Sequence, residues 1–228
     1  MAGMLCKLGN ISCEGGKYDR AAELYQYVID KWPKTEHEML AKTGIAKLNI
    51  SLGNDAAVEA TIDSLIADFN DHPRLPWAVL FIGEEYYNEA WRNKNKGLVA
   101  ESEENFQKAN AVWERIIMEL PPSPITPEAY FLSAESFRQL DELVKAAEYY
   151  QKVVDNWPDF KYSWHAQFLV ARIYKILKSS GAMSESEANP KIKAAYERIL
   201  KDYPNSSAVH DAHKWFNRHK DLTQGEQK

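Results

Sequence analysis

Cysteine is almost absent: the 228-residue chain has two, Cys6 and Cys13. Seven residues apart on a helix, their Cα atoms stand about 10 Å from one another, beyond the span of a disulfide, so no disulfide framework supports the fold. Glycine and proline, at ten each, are too few for a collagen-like or low-complexity chain. Long apolar runs are missing as well. A stretch such as Ala78 to Gly83 falls far short of the roughly 20 residues that span a bilayer, so no transmembrane segment is expected. No charge of one sign dominates, since 28 basic and 33 acidic side chains leave a net charge of −5; with no basic block, a nucleic-acid partner is disfavoured. The opening MAGMLCKLGN has no basic region followed by an apolar core, so it does not read as a secretory signal. Leu5 is a poor fit before a lipidated Cys6.

Catalytic signatures are lacking too. The chain has no glycine-rich phosphate loop, no G-x-S-x-G, no H-E-x-x-H and no C-x-x-C. Glu101, Glu103 and Glu104 read as a solvated face near a helix start. The chain is therefore expected to be non-catalytic and to need no cofactor. Of six histidines, His210 and His213 lie three apart beside Asp211, a spacing that could place two imidazoles on one helical face. With no third ligand at a fixed spacing, the expected role is the polar outer face of a capping helix, and a metal-binding accessory domain is the rival.

What is present is repetition. AAELYQYVIDKWPKT at 21–35 returns as AAEYYQKVVDNWPDF at 146–160. An aromatic eight residues before a proline recurs as Tyr25 to Pro33, Trp113 to Pro121, Tyr150 to Pro158 and Tyr196 to Pro204, with a weaker copy at Ile62 to Asn70. Four residues before each anchor stand Ala21, Val58, Ala109, Ala146 and Ile192; three after stand Val28, Leu65, Ile116, Val153 and Ile199. That spacing is one stripe of a helix, which the proline ends. Upstream of each stripe a partner helix carries a small residue (Gly9, Ala46, Gly83, Ala134, Ala171) where two helices approach closely.

These helix-turn-helix units resemble the tetratricopeptide repeat, W-x2-L-G-x2-Y, then A-x3-F, then P. The fourth matches best, through Tyr130, Ser133, Ala134, Phe137, Ala146, Tyr150 and Pro158, with Ser133 in place of leucine. The second matches worst, having Lys42 and Asn49 where aromatics are usual. The repeat is about three residues longer than the usual 34. Together with the turn in DYPNSSAVHDA, that form is similar to repeats of bacterial cell-envelope proteins of the outer-membrane-assembly lipoprotein BamD and Tol–Pal coordinator type. The setting so implied is a periplasm or outer membrane if a signal peptide was removed, and otherwise the cytoplasm.

The expected fold is all-α, an α-α superhelix of about five helical pairs plus a capping helix. One solenoid domain at 1–217 would comprise repeats near 2–35, 36–72, 73–122, 123–160 and 161–205, then a capping helix at 206–217 and a frayed tail at 218–228. Two insertions interrupt it: one lengthens both helices around a Lys94-to-Gly97 turn, and KSSGAMSESEANPK reads as a loop with a Gly181 stop and a Ser184-x-x-Glu187 capping signature.

The resemblance implies a protein-interaction scaffold whose first helices line a groove. Its positions are Cys6, Asn10 and Cys13; Thr43, Lys47 and Ile50; Leu80, Glu84 and Tyr87; Phe131, Glu135 and Arg138; Phe168, Arg172 and Lys175. Rings beside Arg138, Arg172 and Lys175 suit a peptide with an apolar anchor and an acidic group. The competing reading packs Phe131 and Phe168 against neighbouring helices and pairs the charges with Glu135. A structural or oligomerisation module, or a piece of a larger repeat protein, is the other functional class. Among the seven tryptophans, Trp32 and Trp157 precede turn prolines and read as packing, whereas an exposed pair among Trp77, Trp91, Trp164 and Trp215 would mark a partner patch.

Overall fold

A computed structural model describes residues 1–219. Among these residues there are eleven helices and no strand. They are α1 (Ala2–Glu14), α2 (Tyr18–Lys31), α3 (Glu36–Ser51), α4 (Asp55–Phe69), α5 (Leu75–Asn95), α6 (Val99–Glu119), α7 (Thr126–Gln139), α8 (Leu143–Asn156), α9 (Ser163–Ser179), α10 (Glu185–Asp202) and α11 (Val209–Arg218). The chain divides into two compact units, Met1–Ala129 and Tyr130–Lys228, with the division inside α7.

The repeated stripe is the core of both units. Tyr25, Ile62, Trp113, Tyr150 and Tyr196, with their partners four before and three after, are each at most 1% exposed. Full burial of such a side chain stabilises by about 1.5–3 kcal/mol, so the repeated phrase holds the fold together. The small residues upstream make room for it. A Cβ on Gly83 would collide with the Trp113 indole, its Cδ1 only 2.6 Å away. Tyr25 lies against two glycines at once, Gly9 of α1 and Gly44 of α3.

Each turn between the helices of a pair needs one left-handed residue. Gly16, Gly53, Gly97 and Gly181 supply it in four pairs, and Asp141 in the fourth, at φ 60°. The long third pair turns at Lys96–Gly97, as its sequence predicts. The second insertion is shorter than expected. Ser184 and Glu187 form a reciprocal capping box that starts α10 at Glu185, so Pro190 lies inside the helix. Satisfying two orphan amides at the start offsets one missing donor five residues later.

In the second pair Lys42 replaces the usual aromatic without loosening the packing. Its ammonium reaches Glu38 at 2.8 Å and Asp68 at 2.6 Å, tying α3 to α4. Burial works against that charge, but the two carboxylates outweigh it and raise its pKa. The frayed tail expected at 218–228 lies, from residue 220, outside the described residues. Arg218 closes α11, and the His219 ring stacks on Trp215 at 4.5 Å.

Candidate interaction surfaces

In the first unit the first helices of the pairs, α1, α3 and α5, line a cleft of about 450 Å³. Asn10, Cys13 and Glu14 come from α1, Lys47 and Ser51 from α3, Glu85 and Arg92 from α5. Its cations are neutralised from within. Glu85 bridges Lys47 at 3.1 Å and Arg92 at 3.0 Å, and Arg92 also holds Glu89 at 2.5 Å. Burial, and then the Glu85 carboxylate, push the Cys13 thiol above its usual range, which keeps it protonated and weakly nucleophilic.

Between α3 and the start of α5, a second hollow of about 410 Å³ is lined by Met39, Leu40, Thr43, Arg74, Trp77, Ala78 and Phe81. Trp77 and Phe81 are 41% and 42% exposed, with ring centroids 5.9 Å apart. Arg74 on its rim is paired with Glu36.

The second unit behaves differently. Phe131 is 8% exposed and sits among rings: it stacks on Tyr162 at 5.2 Å and meets Tyr150 at 5.5 Å and His165 at 6.0 Å. Glu135 takes a hydrogen bond from Tyr150 and an ion pair from Arg138 at 2.6 Å. Burial, followed by that carboxylate, holds the Tyr150 phenol far above its ordinary range. On α9, however, Arg172 and Lys175 are exposed and have no carboxylate partner among the described residues. The Arg172 guanidinium lies over the half-buried Phe168 ring, 5.8 Å from its centroid. An exposed charge held over a ring is preorganised to accept an anion.

Models of the tetratricopeptide repeat match residues 5–35 and 94–159, covering parts of the stripes described above. Tetratricopeptide repeats thus occupy these two segments. Tetratricopeptide repeats generally serve protein–protein interaction and not catalysis. A search of the curated proteins finds no match. Among solved structures the chain is similar to a Podosopora anserina protein with nearly identical TPR-like repeats, at 15% identity over 86% of this chain and 95% of that one, TM-score 0.45. It is also similar to a thermophilic TPR protein of Thermus thermophilus, at 15% identity over 96% and 98%, TM-score 0.42. A third is PilW, a widely conserved type IV pilus biogenesis factor, at 12% identity over 99% and 95%, TM-score 0.40.

Of the groove positions implied by the repeat, Asn10, Cys13 and Lys47 line the first cleft, and Thr43 lines the apolar hollow. Cys6, Ile50 and Leu80 are buried. Leu80 accepts the Trp113 indole N–H at 3.2 Å through its carbonyl, and Phe81 takes the open position beside it. Glu84 and Tyr87 are half-buried, and Tyr87 packs its ring on Phe106 and Trp113. Trp77, one of the tryptophans considered for a partner patch, lines the hollow with Phe81, and Glu85 and Arg92 line the cleft; Phe81 and Arg92 are the residues on α5 that the sequence reading missed. A signal for Phe81 existed, because Trp77, Phe81 and Glu85 are spaced four apart, opposite the buried Val79–Ile82–Tyr86 stripe. Trp77 is the one exposed tryptophan among the described residues, its neighbour being a phenylalanine. His210 and His213 are exposed on α11, and no group of three metal-binding side chains converges among the described residues. No helix there is long and apolar enough to cross a membrane.

Proposed function

We propose that this repeat protein is a non-catalytic scaffold that holds an acidic peptide segment of a partner protein against α9 of the second unit. Arg172 and Lys175 supply the charge and Phe168 the apolar anchor. The observation that carries this reading is that Arg172 and Lys175 are exposed and form no ion pair among the described residues, with Arg172 one turn from a half-buried ring. Arg138 has a different role: already engaged by Glu135, it steadies the adjoining face. A guanidinium grips a carboxylate through two parallel hydrogen bonds, and the ring supplies contact area at low entropic cost. The aromatic-Pro-Asn-Ser turn at Tyr203 to Ser206 supports a bacterial cell-envelope setting for the scaffold.

The test is selection from an unbiased displayed peptide library, followed by titration of the best binder. Peptides carrying Asp or Glu within a few residues of an aromatic or aliphatic side chain should be enriched. Arg172→Glu with Lys175→Glu should weaken the best of them by about 30-fold, the size expected for two charge-assisted contacts. Enrichment of basic peptides, or an affinity unmoved by the double reversal, would contradict the reading.

A further inference from the structure

The first helix of the chain is amphipathic in an unusual sense: both of its sides are apolar. Ala2, Cys6 and Gly9 are buried against the first unit. On the opposite side Met4 is 69% exposed, Leu8 44% and Ile11 62%, continued by Met1 at 91%. Positions 1, 4, 8 and 11 follow the three-four spacing of a helix–helix seam. At 100° per residue this stripe faces roughly opposite the buried one. It exposes on the order of 500 Å² of apolar surface, within the range that marks an interaction site.

The charges beside the stripe indicate what covers it. Lys7 and Glu14 lie on the same flank, seven residues apart, and both are exposed. Neither takes part in a salt bridge among the described residues. If two copies of α1 cross antiparallel about a two-fold axis near the middle of the Leu8–Ile11 pair, Lys7 sits about 4 Å to one side of that axis and Glu14 about 7 Å to the other, an offset of about 3 Å that both side chains can span. Each Lys7 then faces the Glu14 of the other copy, and the contact is self-complementary as a two-fold interface requires. A helix with one sign of charge on that flank could not do this.

We infer that α1 is a self-association surface whose occupant is α1 of a second copy of this chain, paired antiparallel through Met4, Leu8 and Ile11. The pair buries roughly 1,000 Å² in total, at the lower end for a specific interface, so a weak, concentration-dependent dimer follows. Asn10 and Cys13 keep facing the cleft of their own unit, and Glu14, the last residue of α1, stands at its edge.

Sedimentation equilibrium of the full chain from about 1 to about 300 µM tests it, a range that brackets a weak interface of this size. The expected result is a monomer–dimer equilibrium that Leu8→Glu with Ile11→Glu abolishes while the far-ultraviolet circular dichroism stays unchanged. Lys7→Glu and Glu14→Lys should each weaken the dimer about 10-fold, and the double exchange should restore it to within about 3-fold of the parent. A monomer at every concentration would mean the stripe serves another chain's helix and would overturn the proposal. So would association indifferent to the Leu8 and Ile11 changes, or a double exchange no better than the single ones.

Discussion

The open faces of the two units are built on equivalent first helices of the same repeat, yet their cations are in opposite states. In the first unit Lys47 and Arg92 converge on Glu85, and Arg92 takes Glu89 as well. In the second, Arg138 is held by Glu135, whereas Arg172 and Lys175 on the next first helix form no ion pair among the described residues. The difference shows that repeat position alone does not decide whether a cation is paired. An acid within one turn, or on the neighbouring helix, converts a grip into a strut, because an ion pair already formed must be broken before a ligand carboxylate can enter.

The contrast extends into the seam beneath the faces, and the largest effect is expected there. Gly83 lies against the Trp113 indole, while the corresponding position in the second unit is Ala171. Gly83→Val should therefore cost about 3 kcal/mol, the upper end for overpacking a fixed neighbour, against about 1 kcal/mol for Ala171→Gly, which leaves the seam intact but loosens the helix. Chemical denaturation read by tryptophan fluorescence compares them. Similar costs for both would mean that the first unit's seam is no tighter than the second's.

The next effect acts on charge. Glu85→Gln with Glu89→Gln releases Lys47 and Arg92, and the first unit should then gain affinity of about 5-fold for acidic peptides, measured by titration with Arg172 and Lys175 already reversed. If no gain appears, internal pairing is not what silences that face.

The smallest effect is a pH dependence confined to the second unit's face. Burial, opposed in part by Glu135 and reinforced by Arg138 and Arg172, lowers the His165 pKa from 6.5. A depressed histidine contributes stability that is present above its unfolded pKa near 6.5 and is lost as pH falls through the lower folded value. Denaturation midpoints should thus drop below about pH 6.5, and His165→Gln should flatten that segment of the profile. An unchanged profile in the variant would remove His165 from the account.

Much of the fold was legible because the repeat marks its own helices. The anchor aromatic, the proline eight residues later and the small residue upstream sit in the core and at the turns where the spacing predicts them. On α9 the repeat's positions fall on the exposed Arg172 and Lys175, but on α5 the exposed rings are Trp77 and Phe81, while Leu80 is buried and Glu84 and Tyr87 are half-buried. One residue turns a helix by 100°, and the Trp113 indole that Gly83 admits takes the flank where Leu80 lies. Nor could spacing along one helix reveal the neutralising pairs, since Glu85 finds Lys47 on α3. The Ser184-x-x-Glu187 capping signature is visible in the sequence, and its two satisfied amides start α10 early enough to take Pro190 inside the helix.

If compensation decides which face binds, supplying an acid to α9 should silence it without touching either cation. Ile176 is 45% exposed and stands four residues after Arg172, the spacing at which a glutamate pairs with it. Titration of Ile176→Glu with the best acidic peptide from the selection is the most direct measurement. An affinity about 10-fold weaker with the helical content unchanged is expected; an affinity equal to the parent's would contradict the role of compensation.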